Sequence, residues 1–134
     1  MGTVQIVVRL DDWFAERLEA VNCSPDARAY VVSVLSSFKR ADGDLSDRSI
    51  VVAFANARDH GNFEHFQRIG DWVLWTATIM PGAIAEHRET IETLGRMSYY
   101  TCHRMVQRTW PVYEELADEL PSLAQKVRCT LQLP

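Results

Sequence analysis

Phe63 to Pro81 reads FEHFQRIGDWVLWTATIMP, a largely apolar run with Gly70 and Asp71 at its middle. Phe63, Phe66, Ile69, Val73, Ala77 and Met80 recur at steps of three and four, which draws one complete helical stripe. Beyond Ile69 the opposite side is apolar too, through Trp72, Trp75 and Ile79. Such a helix must be covered on several sides, so the rest of the chain is expected to pack around it. Gly61 and Asn62 precede it, a glycine suited to ending one helix and an asparagine suited to capping the next. Pro81-Gly82 closes it.

Working outward, Ser24-Pro25 is a strong helix start, because the hydroxyl accepts an orphan amide and proline has the torsion of the first turn. Ala27, Val31, Val34, Leu35, Phe38 and Ala41 then share one face, and Ala41-Asp42-Gly43-Asp44 ends the helix. Residues Ser49 to Phe54 are β-branched enough to suggest a strand, but Ile50, Val51, Phe54 and Ala57 keep helical spacing, and helix is favoured. On the N-terminal side, Asp11 or Asp12 is placed to cap a helix to about Val21 with Trp13, Phe14 and Leu18 inward. Thr3 to Leu10 alternates enough at Val4, Ile6 and Val8 for a short strand or extended arm. After a short turn or helix, Thr90 to about Gln107 forms a helix with Ile91, Leu94, Gly95, Ser98, Cys102 and Met105 on its inner face. Thr109 starts the last region, carrying Val112, Tyr113, Leu116 and Leu120. Pro121 removes an amide donor there, so Ser122 to Leu131 is expected to be kinked away or to form a separate helix.

The 134 residues suit one domain with one core, and no linker or repeat divides them. The expected architecture is an all-α, single-domain helical bundle of about five to seven helices spanning residues 1–134, with a short N-terminal extended arm. The net charge of −4 argues against nucleic-acid binding, which relies on clustered Lys and Arg. Cys23, Cys102 and Cys129 are odd in number and form no C-x-x-C pair, so free thiols in a reducing cytoplasm fit better than disulfides or a zinc ribbon. No apolar run reaches the roughly 18 to 20 residues of a membrane span, and no signal peptide is evident.

The stretches RIGDWVLWTATIMPGAI (Arg68 to Ile84) and TLGRMSYY (Thr93 to Tyr100) resemble a family of uncharacterised bacterial all-helical proteins. Its pattern runs R-x-G-D-x-x-L-F, an apolar segment ending in proline, then L-G-x-x-A-Y. Arg68, Gly70, Asp71, Leu74, Pro81, Leu94, Gly95 and Tyr99 match it. AYVVSVLSSFK (Ala29 to Lys39) and YEELADELPSL (Tyr113 to Leu123) are similar to further helices of the family, so the likeness covers most of the chain. Trp75 stands where the pattern has phenylalanine, Thr78 where it has glycine, Ser98 where it has alanine, and Thr90-Ile91 where it has two tyrosines. The resemblance implies a helical fold and carries no activity, cofactor or catalytic set.

Asp71 is the main chemical question, because a carboxylate among apolar neighbours is costly to bury unpaired. Gly70 and Gly95 are expected to let their helices approach closely, so that Asp71 meets Arg96 or the Tyr99 hydroxyl, with Arg68 as the other partner. A structural polar clamp is favoured over a ligand-binding or catalytic carboxylate. The histidines His60, His65, His87 and His103 follow Ala57, Asn62, Ile84 and Tyr100 by three residues, so no Glu-x-x-His di-iron motif exists, and neither metal nor cofactor is expected. Cys102 beside His103 points in another direction on a helix and reads as a core thiol. Walker, dinucleotide and G-x-S-x-G motifs are missing.

The expected function is a non-enzymatic, cytoplasmic interaction or adaptor protein that binds another protein, with homodimerisation as one form. A small-molecule-binding or enzymatic bundle using Asp71, Arg96 and Tyr99 is the alternative; a small regulator or inhibitor encoded by a phage or mobile element is the third.

Overall fold

The computed structural model describes residues 9–37, 49–106 and 110–133. They form α1 (Leu10–Arg17), α2 (Pro25–Ser37), α3 (Ser49–His60), α4 (Phe63–Ile79), a 3-10 segment (Pro81–His87), α5 (Arg88–Met105) and α6 (Val112–Thr130). This is an all-α bundle of six helices, with no strand among the described residues. The expected arm from Thr3 to Leu10 lies outside those residues as far as Val8 and is corrected at its end, where Leu10 begins α1; the end of the α2 stripe at Phe38 and Ala41 and the helix start at Thr109 also lie outside them. None of the helices described is long and apolar enough to cross a membrane.

The central stretch is the central helix. α4 packs on α2, α3, α5, α6 and the 3-10 segment, most extensively on α5. Ile69 and Val73 are buried on one face of it and Leu74 on another, each contributing about 1.5–3 kcal/mol relative to an exposed side chain. Its ends are built as the sequence suggests. The Asn62 side chain accepts from the Glu64 amide, and Gly61 ends α3 at φ 62°, donating its amide to Ala57 O at 2.8 Å. At the far end Arg128 of α6 donates through Nη1 to the carbonyls of Thr78 (2.8 Å) and Ile79 (3.4 Å). Those carbonyls lie in the last turn, where no intrahelical donor remains.

Ser24 caps α2 as expected, its hydroxyl accepting from the Ala27 amide at 3.0 Å. A carboxylate three residues on would complete a capping box, but position 27 is alanine, and Glu115 of α6 takes the part by accepting the Ser24 amide at 2.9 Å. The cap thereby docks α2 on α6. α3 is helical, which settles the Ser49 to Phe54 ambiguity: Ile50, Phe54 and Ala57 are buried.

Several faces differ from expectation by one helical position. Val51 is 50% exposed, leaving the inner face of α3 to its neighbours, and Met105 and Trp13 also stand outside, at 39% and 37%. The Arg17 guanidinium covers Trp13, 4.3 Å from the ring centroid. In α1, Asp11 and Asp12 occupy the first turn rather than the cap, and the helix stops at Arg17, short of Val21. Their charges still complement the positive end of the helix dipole.

At Pro121 the alternative of a separate helix is corrected. α6 runs from Val112 to Thr130 as one helix, with Pro121 inside it. The acceptor that proline leaves without an amide is the carbonyl of Ala117, four residues earlier. Arg96 of α5 supplies the missing donor: its Nε donates to Ala117 O at 2.9 Å. A neighbouring helix thus replaces the backbone bond, and the helix need not break.

Candidate functional site

Gly70 and Gly95 sit where α4 and α5 touch. A Cβ on Gly70 would lie 2.7–2.9 Å from ring carbons of Tyr99, and one on Gly95 would lie 2.7 Å from Val73 Cγ1 and 2.8 Å from Val73 Cβ. Separations below 3 Å are closer than side chains pack, so Gly70 makes room for Tyr99 of α5, and Gly95 for Val73 of α4 and also for Leu120 of α6, whose Cδ2 would lie 2.9 Å away. Gly70 admits the fully buried Tyr99 ring and delivers its hydroxyl to Asp71, the next residue on α4.

The Tyr99 hydroxyl donates to Asp71 Oδ1 at 2.8 Å. A second donor comes from α2, where the Tyr30 hydroxyl reaches the same oxygen at 2.6 Å. Tyr113 of α6 packs edge-on against Tyr30, with ring centroids 5.5 Å apart, and its hydroxyl accepts from Gln67 Nε2 at 2.9 Å. Side chains from α2, α4, α5 and α6 therefore meet around one carboxylate. Phe63 and Trp110 extend the ring cluster against Tyr113, at centroid distances of 5.7 and 5.5 Å.

Burial pushes the Asp71 carboxyl up to about 6, although the hydroxyls of Tyr30 and Tyr99 favour its charged form and pull it down. Burial likewise raises both tyrosines, reinforced by the Asp71 charge beside them. They stay protonated and donate to the carboxylate. Cys102, against this cluster on α5, is pushed up to about 12 by burial and then by Asp71, so it is a thiol with little nucleophilic capacity.

The three residues expected around Asp71 thus divide. Tyr99 joins it. Arg96, expected as its partner, turns its Nε to Ala117 O instead, the carbonyl that Pro121 leaves without an amide. Arg68 is exposed and lines a separate hollow between α3 and α4 with Ala53, Asn56 and His65. Tyr30 is the partner that sequence reasoning missed, although a signal existed: it falls three residues after Ala27 and four before Val34, at the edge of the α2 stripe.

The family pattern finds no independent support. No family model, curated protein or solved structure matches this chain. Chemistry must therefore be read from the site alone. An acid inside an aromatic cluster suggests a cage for an organic cation, but the rings of Tyr30, Tyr99 and Tyr113 touch one another at 5.5–6.1 Å, which fills the space such a cation needs. The arrangement ties helices together.

The other candidates behave as side chains of a packed bundle. Among the described residues no group of three His, Cys, Asp or Glu side chains is placed to hold a metal. Cys102 is fully buried. His103 Nε2 lies 3.0 Å from Glu114 Oε2, and its Nδ1 is buried without a partner, so neither ring nitrogen is open to a substrate. Beside this pair runs a groove of about 340 Å³ between α5 and α6, edged by Met97, Tyr100, Thr101 and Arg104.

Asp71→Asn tests the electrostatic account. The amide keeps an oxygen for both tyrosines and removes the cost of a buried charge. The rise from 3.8 to about 6 corresponds to about 3 kcal/mol at most, reduced by the weaker hydrogen bonds of a neutral acceptor. Net stabilisation of about 1 kcal/mol at pH 7 is expected in urea unfolding. The sign follows from proton uptake: between pH 4 and 6 the folded protein binds the proton more readily than the unfolded chain. The wild type therefore gains on the variant as pH falls from 7 to 4, and loses that gain as pH rises through 6. A difference between the two proteins that stays constant from pH 4 to 7.5 would contradict this account.

Proposed function

We propose that the protein is a non-enzymatic helical interaction module that binds another protein through the outer face of α5 and the groove it forms with α6. The observation that carries this reading is the placement of Met97 and Met105, 44% and 39% exposed on the outer side of α5, with Met97 at the lip of the groove. Methionine is flexible and polarisable, and it suits surfaces that adapt to a partner. Tyr100 and Arg104, beside them, are residue types enriched in binding hot spots.

The occupancy of Asp71 by two tyrosines weighs against the ligand-binding alternative. Three free thiols, Cys23, Cys102 and Cys129, support a reducing cytoplasm, and membership of the bacterial helical family belongs to the same proposal.

The test is affinity capture from the native host with the wild-type protein and with Met97→Glu/Met105→Glu, followed by mass spectrometry of proteins and small molecules. The expected result is a stoichiometric protein held by the wild type and depleted at least about tenfold by the variant, with thermal stability unchanged. If the captured protein is a second copy, sedimentation will show a dimer that the variant dissociates. Recovery of one stoichiometric metabolite or metal and no protein would overturn the reading.

A further inference from the structure

A recess of about 640 Å³ opens on a different side of the bundle, where the 3-10 segment meets the second half of α6. We propose that it binds a small organic anion, a carboxylate or phosphate monoester with an apolar body, through Arg128 and Arg88. The inference is independent of the α5 and α6 groove.

The first support is the charge state of Arg128. Its hydrogen bonds go to the carbonyls of Thr78 and Ile79, which are neutral, and among the described residues no carboxylate stands within ion-pair distance of it. A half-buried guanidinium is thereby fixed in place by one nitrogen with its charge unbalanced. A guanidinium has five donors in a planar fork suited to carboxylate or phosphate, and anchoring one edge preorganises the rest.

The second support is the make-up of the walls. Ala77, Pro81, Pro121, Ala124 and Leu133 are apolar, while Arg88, Glu92, Gln125 and Arg128 converge among them. Ser122 and Cys129 complete the lining, whose exposed surface is divided about equally between polar and apolar atoms, and the volume falls in the range of roughly 300–1,000 Å³ usual for small-molecule sites. Glu92 is the carboxylate in the lining and is matched by Arg88, at 3.1 Å from its Nε. Among the described residues, the lining side chains Arg88, Arg128 and Glu92 leave one net positive charge, in a chain whose total is −4. An anion is favoured there, and a cation would add repulsion. The two prolines lack amide donors, so the polar end of a ligand must be held by the arginines and its body laid against the rings.

The experiment titrates the full chain with phenyl phosphate, benzoate, inorganic phosphate and benzylamine, following backbone amides and arginine Nε–Hε signals by NMR. The expected result is saturable shifts of Arg128 and Arg88 with the two aromatic anions. Inorganic phosphate should bind about tenfold more weakly for want of the apolar body, and benzylamine should give no response. Arg128→Lys keeps charge at the end of α4 but loses the fork, and Arg88→Gln removes the exposed cation. Each should weaken phenyl phosphate about fivefold or more, with circular dichroism and Tm confirming the fold. Shifts that fail to saturate by about 10 mM, that spread evenly over the arginines, or that benzylamine reproduces would overturn the proposal, since all three describe non-specific charge effects.

Discussion

Gly95→Ala is expected to destabilise the protein by about 2 kcal/mol, and Gly95→Val by about 4 kcal/mol. On helix propensity alone the first substitution would stabilise, since alanine in a helix interior is better than glycine by about 1 kcal/mol. Packing reverses the sign. The added Cβ would lie 2.8 Å from Val73 Cβ, an atom held directly on the backbone of α4 and unable to turn away by a change of rotamer. Val73 is also fully buried, so relief requires α4 and α5 to part along the most extensive contact in the bundle. Valine adds two methyl groups to the same space, and a loss of about 4 kcal/mol is a large share of the 5–15 kcal/mol that holds a domain folded. Gly82 provides the control, because a Cβ there meets nothing within 4 Å; Gly82→Ala should shift stability by less than about 0.5 kcal/mol. Urea unfolding of the three variants checks this, and a stabilised Gly95→Ala would refute the close approach of the two helices.

The same contact shows which properties could be read from the residues. That α4 is central follows from apolar side chains on every side of it, and Ser24-Pro25 marks the start of α2 because both residues act within one turn. Ser49 to Phe54 resolves to helix because Ile50, Phe54 and Ala57 satisfy a period that a strand cannot. Faces are less determinate than elements. A helix turns 100° per residue, so Val51, Trp13 and Met105 each lie close enough to an apolar stripe to be assigned to it, and only the position of neighbouring helices excludes them.

Polar partnerships lie further from reach. Asp71 declares its need for a partner, and Gly70 with Gly95 points to α5, but Tyr30 is 41 residues from Asp71 and on a helix whose direction toward α4 is fixed by the whole bundle. Glu115 completes a cap at Ser24 from 91 residues away. Both are tertiary replacements for a local device that the sequence lacks, and a local pattern cannot disclose them. Tyrosine and aspartate are as suited to a ligand site as to a tie, and what weighs for the tie, the separations of 5.5–6.1 Å between the rings, is set by the packing of three helices.

Arg96 and Pro121 give the sharpest test of such long-range replacement. Arg96→Met preserves much of the apolar stem but removes the donor, leaving the Ala117 carbonyl without the bond that Arg96 Nε now makes at 2.9 Å. A loss of about 2 kcal/mol is expected, since the bond is to a charged donor and Ala117 is fully buried. Pro121→Ala alone restores a backbone amide able to reach the same carbonyl, and it removes the steric cost of proline in a helix interior. That variant should be as stable as the wild type or more so. In the double variant the carbonyl has its own helical donor again, and removing Arg96 should then cost at least about 1 kcal/mol less than in the wild type. The coupling isolates the shared acceptor from any other contact of Arg96, because those contacts are lost equally on both sides of the cycle. Strictly additive losses would mean that the arginine contributes by packing or general charge and does not stand in for the missing amide. A coupling of the expected size would identify the α5 to α6 contact as the means by which one helix carries a proline through its middle while continuing from Val112 to Thr130.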